Sequence, residues 1–154
     1  MAYTANKLRA QSARRMVDFD PDGTSETIVT LNPAASEKCL SLASLGNPRA
    51  FLAALMHSVG TGSISSFKIF VSEDAAGVVN PATVASHAIG SDPNAVGDTL
   101  WLEVTAEQIK AALATAAYIG VKITLGTGTD ECVVFFECAD GRFKYDELTA
   151  DYVS

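Results

Sequence analysis

The stretch VDFDPDGTSE, residues 17–26, sets Asp18, Asp20 and Asp22 at alternate positions and follows them with Gly23. Carboxylates at positions 1, 3 and 5 with glycine at 6 open a helix-flanked calcium loop, which also needs a bidentate glutamate at position 12. Here position 12 is Val29, Pro21 intrudes at position 4, and the flanks are a basic segment and a strand-like run. Pro followed by Asp-Gly is what a tight turn demands. The stretch therefore reads as a turn. Asp18, Asp20 and Asp22 stay as weak cation candidates, and no resident metal or cofactor is expected.

His87, with Ser86, Asp92 and Asp98 nearby, holds the residue types of a nucleophilic set. No G-x-S-x-G elbow accompanies them, and neighbours such as Ser86 and His87 point to opposite sides of a strand. His57 sits in an apolar run and reads as a core or interface residue rather than a catalytic one. GTGTDE and GTGS lack both the glycine order and the lysine of a phosphate cradle. Cys39, Cys132 and Cys138 show no C-x-x-C spacing, and the last two are six residues apart in one strand, too far to bridge. They read as buried free thiols, and the chain as non-enzymatic.

Charge carries more information than these motifs. Lys7, Arg9, Arg14 and Arg15 give residues 1–15 a charge of +4 with no acid, whereas the whole chain is −7. The rest holds 7 basic and 18 acidic groups, which is −11. An acidic body disfavours nucleic acid, whose affinity comes from Lys and Arg on phosphates. No apolar run is long enough to span a membrane, and the N-terminus lacks a secretory signal's apolar stretch. The reading divides the chain into a basic N-terminal arm, 1–19, and one globular domain, 20–154. Burying the arm requires a partner, because alone it cannot offset its own ordering entropy.

The elements that must position any site follow from periodicity. SETIVTLN, SFKIFVSED and TLWLEV alternate as strands. NPRAFLAALMHSVG reads as a helix, with Asn47 as N-cap, Pro48 at the first position and Gly60 at the end. Its face would be Phe51, Leu52, Leu55, Met56 and Val59. A second helix starts at Thr105, with Gln108 completing a capping box and Ile109, Leu113, Ala116 and Ile119 as its stripe. VKITLGTGTDECVVFFEC reads as a hairpin whose last strand is apolar on both faces and therefore central or covered on both sides. The segment from 75 to 98 is read as mostly loop, with a short strand or turn near Val84 to Ile89. The sum is a single α+β domain, a mainly antiparallel sheet or sandwich of about 5–6 strands with two packed helices, long Gly/Ala/Pro loops and an extended N-terminal arm.

On the outward faces of those strands stand Phe70, Trp101 and Phe135. Either a helix layer covers them or they form a subunit contact. With Leu8, Arg9, Arg14 and Arg15 of the arm, they are the candidate interface residues.

The runs SHAIGSDPNAVGDTLWLEVTAEQI and GVKITLGTGTDECVVFFECADGRFKY, within residues 64–145, give the chain a composition that resembles small structural proteins of tailed-phage virions, of which capsid decoration or cement proteins are the group named. The resemblance implies a virion protein, assembled in the host cytoplasm, that stabilises a capsid shell as a homo-oligomer in contact with the major capsid protein or other virion proteins. A neck or tail component, and a weak calcium- or small-ligand-binding module, are the alternatives. The resemblance carries over no functional residue.

Overall fold

Segments rich in Val, Ile, Phe and Thr favour a pleated, half-buried backbone, and nearly every such run in this chain is a strand. The structure is a computed structural model that describes residues 12–19, 25–31, 36–60, 64–88, 95–126 and 131–139. Among the described residues the strands are β1 (Ser12–Phe19), β2 (Thr27–Ile28), β3 (Leu40–Ser41), β4 (Ala50–Val59), β5 (Ile64–Ser72), β6 (Ala82–Ala88), β7 (Thr99–Thr105), β8 (Tyr118–Leu125) and β9 (Glu131–Ala139). Among the described residues the helix is the short α1 (Ala106–Ala112), which follows β7 directly.

Two antiparallel sheets result, one ordered β1-β9-β4-β7 and the other β2-β8-β5-β6, with β3 also on β8. β1 pairs with β9, β2 with β8, β4 with β7 and β5 with β6. The chain is thus one long hairpin rolled up so that β9 also meets β4 and β8 also meets β5. This is the jelly-roll arrangement of two Greek keys. Between the sheets lie Phe51, Phe67, Phe136, Leu55, Ile69, Val104, Ile119, Val121, Ile123 and Val134, all essentially buried. The Phe51 and Phe136 rings meet at a 44° tilt across the β4–β9 pair, with centroids 6.1 Å apart.

The single antiparallel, sheet-rich domain agrees with the sequence reading, but three elements differ. The helix expected from residue 47 is β4. Phe51, Ala53, Leu55 and His57 face the core, and Leu52, Ala54 and Met56 face the other way. Apolar residues at both parities mimic helical spacing, and pairing with β7 and β9 overrides the local preference of Ala, Leu and Met for helix. Asn47, expected as a cap, adopts the left-handed region at φ 49° and turns the chain into β4.

The second helix starts where its capping box puts it. The Gln108 N–H donates to Thr105 Oγ1 at 3.3 Å, and the Thr105 N–H donates to Gln108 Oε1 at 2.8 Å. It ends at Ala112, so Ala116 and Ile119 pack on the core from beyond it. The expected hairpin of 121–138 is not one, because β8 and β9 belong to different sheets and their connection crosses the roll. β9 is central, as its two apolar faces implied, and the 75–98 region contains the full strand β6.

Candidate functional site

Side chains at successive strand positions point to opposite faces, so the register of the four-stranded sheet defines rows across its outer face. Phe135 of β9 and Trp101 of β7 both pair with Ala54 of β4, and Met16 of β1 occupies the next register position beyond Phe135. The small Ala54 leaves a trough between two aromatic walls. It measures about 220 Å³ and is lined also by Leu52, Met56, Thr99 and Glu137. Trp101 is 58% exposed and Phe135 43%. Two residues along β4, Leu52 lies between Glu103 and Glu137 in register, so an acidic rim borders an apolar floor.

The other sheet is finished differently. Phe70 was expected on an outward face, and it does lie off the main core. Yet it is 1% exposed, so as placed it cannot meet a partner. Its cover is a pair of loops rather than a helix: the Cys39 N–H donates to the Ala75 carbonyl at 3.0 Å and fastens them together. The ring lies against Gly77 and Gly120, each so close that a Cβ there would come within 3 Å of it. Gly120 is Phe70's register partner, so the ring covers the position where β8 has no side chain. The Lys122 ammonium stands 4.6 Å from the ring centroid.

On the same surface, Lys68 and Lys122 are direct cross-strand partners. Glu26 joins them, hydrogen-bonded to Lys68 and 3.5 Å from Lys122 Nζ. The Lys68 hydrogen bond, chiefly, holds the Glu26 carboxyl below the ordinary carboxylate range. Asp74 is likewise lowered, first by the Val79 N–H and also by that of Val78, at 2.8 and 2.9 Å. Both carboxylates organise turns and strand edges.

Of the remaining sequence candidates, Leu8, Arg9, Asp20 and Asp22 lie outside the described residues. Arg14, Arg15 and Asp18 fall in β1, opposite Glu137, Phe136 and Val133. The second half of the basic segment is thus an edge strand of the sheet. Among the described residues no group of three metal-ligating side chains occurs. Ser86 and His87 are exposed on β6, while the Asp98 carboxylate accepts the Ala95 N–H at 3.1 Å within its own loop. His57 is fully buried opposite Cys132. The three thiols are buried and form no disulfide, and burial pushes Cys39 and Cys132 up to about 12. No described helix is long and apolar enough to cross a membrane.

Sequence reasoning put Trp101 and Phe135 on outward strand faces, where they are exposed, and did not place Leu52, Ala54 and Met56 beside them. Their signal was present as apolar residues at even positions of 50–59, but it was absorbed into a helical reading.

No protein-family model matches the chain, and no curated protein sequence matches it. Among solved structures it is similar to an Israel acute paralysis virus pentamer, with a TM-score of 0.44, 11% identity, and coverage of 100% of this chain and 82% of that one. It is also similar to the SPBc2 prophage-derived protein YomS, with a TM-score of 0.34, 9% identity, and coverage of 82% and 95%. A third is the VP2 subviral particle of infectious bursal disease virus, with a TM-score of 0.41, 12% identity, and coverage of 88% of this chain but 32% of that one. All three scores are too low to transfer a site or a function.

Proposed function

We propose that the protein is a non-enzymatic structural protein of a viral particle, of the decoration or cement kind, that docks the outer face of its four-stranded sheet on another virion protein. The observation that carries the docking is the exposed Trp101–Ala54–Phe135 row. Burying what those two aromatics expose would remove roughly 200 Å² from water, which is ~5 kcal/mol gross at ~25 cal/mol/Å². Association costs consume part of that, so the contact needs the neighbouring Leu52 and Met56 as well. Jelly rolls also serve lectins and cupins, and a fold does not choose among such roles. The interior here is filled by Phe51, Phe67 and Phe136, so the space between the sheets holds no ligand, and the exposed aromatic row is the feature we assign to binding. The assignment to a virion rests on the sequence resemblance over residues 64–145.

The test is co-sedimentation of the purified protein with particles of its source virus, alongside mass spectrometry of those particles. The wild type should be a stoichiometric particle component, and Trp101→Asp should weaken binding by at least ~30-fold, as expected for an aromatic anchor. Absence from particles, or undiminished binding by the variant, would overturn the proposal.

A further inference from the structure

We infer that β1 is a dimerisation strand, pairing antiparallel with β1 of a second copy of this chain about a two-fold axis centred on Met16. Among the described strands β1 ends the four-stranded sheet, with β9 on one side of it. The outward N–H and C=O groups of such an end strand are a template for a further strand unless shortness, proline or a bulge blunts them. β1 runs eight residues, Ser12–Phe19, without proline, and keeps unbroken register with β9 from Ser12↔Ala139 to Phe19↔Cys132. β6, which ends the other sheet, is instead broken by a register shift opposite Ile69 and Phe70. β7, at the far end of the four-stranded sheet, offers Glu103 and no cation, so no register of β7 on itself matches charges. The inference stands on backbone register and does not require the docking proposed above.

Symmetry selects the register. A two-fold axis normal to the sheet keeps the outer faces of both copies on one side, and residues directly opposite in an antiparallel pair share a face. The axis must therefore pass through a residue paired with its own copy. Centring on Arg14 or Arg15 sets that arginine against itself, and centring on Val17 sets Met16 against Asp18. Centring on Met16 sets Arg14 opposite Asp18 of the second copy, and the symmetry makes this opposite-charge pair twice. Arg15 then meets Val17 and Ala13 meets Phe19, so no like charges oppose each other. Within one copy Asp18 is opposite Val133 and Arg14 opposite Glu137. The second copy thus sets a cation across from Asp18 and places Arg14 between two acids, an arrangement that stabilises a ladder. The two sheets become one of eight strands, in which the register row Trp101–Ala54–Phe135–Met16 continues into its symmetry copy. At ~4.8 Å per strand the two Trp101 positions stand ~34 Å apart on one face.

The test uses the full-length protein in sedimentation velocity from low to high micromolar concentration, with circular dichroism melts to show that every variant folds. The wild type should be dimeric. Arg14→Asp and Asp18→Arg each turn both opposite-charge pairs into like-charge ones, and each should weaken dimerisation at least ~10-fold. Mixing the two variants restores both pairs between different copies, so the mixture should form heterodimers more tightly than either variant pairs with itself. Met16→Cys should cross-link to its own copy under mild oxidation of the native protein, because directly opposite Cβ atoms lie ~4.5–5.5 Å apart. Arg15→Cys, opposite Val17, should not, and the native thiols are buried and do not compete. A wild type that stays monomeric, a mixture no tighter than its components, or cross-linking at position 15 in place of 16 would each overturn the inference. Particle binding through Trp101 is measured separately and stands or falls independently of these outcomes.

Discussion

Gly120 is the position where one added methyl group tests most directly how the second sheet is finished. A Cβ there would lie 2.7 Å from Cys39 Sγ and 2.7 Å from Phe70 Cε1. Carbon atoms in contact want about 3.5–4.0 Å, so both neighbours must retreat by nearly 1 Å. Neither has room: Phe70 is held between Gly77 and the Lys122 ammonium, and Cys39 is tied to Ala75 through its backbone. Overpacking of this kind costs ~1–3 kcal/mol, and the confinement on both sides argues for the upper part of that range. Gly120 does not have a positive φ, so alanine also gains ~0.4–1 kcal/mol by restricting the unfolded chain. The net expectation for Gly120→Ala is a loss of ~2 kcal/mol, or ~4–8 °C in Tm for a chain of this size. Urea unfolding should show a lower midpoint at unchanged slope. Because the clash is with a particular ring, the cost should fall by half or more in a Phe70→Leu background, a coupling that a double-mutant cycle reads directly. An unchanged Tm for Gly120→Ala, or strictly additive effects, would refute the packing argument.

The Lys68–Glu26–Lys122 bridge should show itself through pH. Glu26 titrates below the ordinary carboxylate range, so its stabilisation is full above that range and fades as pH falls through its folded value. Glu26→Gln leaves two lysines facing each other; because the bridge is partly exposed, it should cost under ~1 kcal/mol at neutral pH. That difference should vanish in acid, and a gap persisting below the carboxylate range in melts across pH would contradict the reasoning. The thiols make a third prediction: Cys39, Cys132 and Cys138 should be inert to an aromatic disulfide reagent in the native protein, and all three should react in denaturant. Fast stoichiometric reaction of any of them without denaturant would show its burial to be wrong.

Much of the architecture was legible where one face of a strand is apolar and the other polar. β5, β7 and β8 announce themselves this way, and Thr105 with Gln108 marks the start of α1 by chemistry that needs no tertiary context. What failed was whatever the global winding decides. Residues 50–59 are apolar on both faces because one is core and the other a candidate interface, and that pattern is indistinguishable from a helix's. Residues 121–138 look like a hairpin because neighbouring strands usually pair, yet the roll sends β8 and β9 to opposite sheets. Phe70 read as outward because alternation gives a side chain's face but not what lies on it; two loops distant in sequence cover it. Trp101 and Phe135 were placed correctly, but the trough between them depends on Ala54 arriving from β4, a register that no local pattern encodes.

The winding has a consequence for how the chain is made. β1 waits for β9 and β2 for β8, so among the described strands the earliest to be synthesised pair with the latest. β4, ten apolar-rich residues long, lacks both neighbours until β7 and then β9 emerge. Non-local pairing of this kind folds slowly and leaves sticky intermediates in the interval. The Ala, Leu and Met content that disguises β4 as a helix also weakens its readiness to pair as a strand, and so works against premature association of nascent chains until the closing strand arrives.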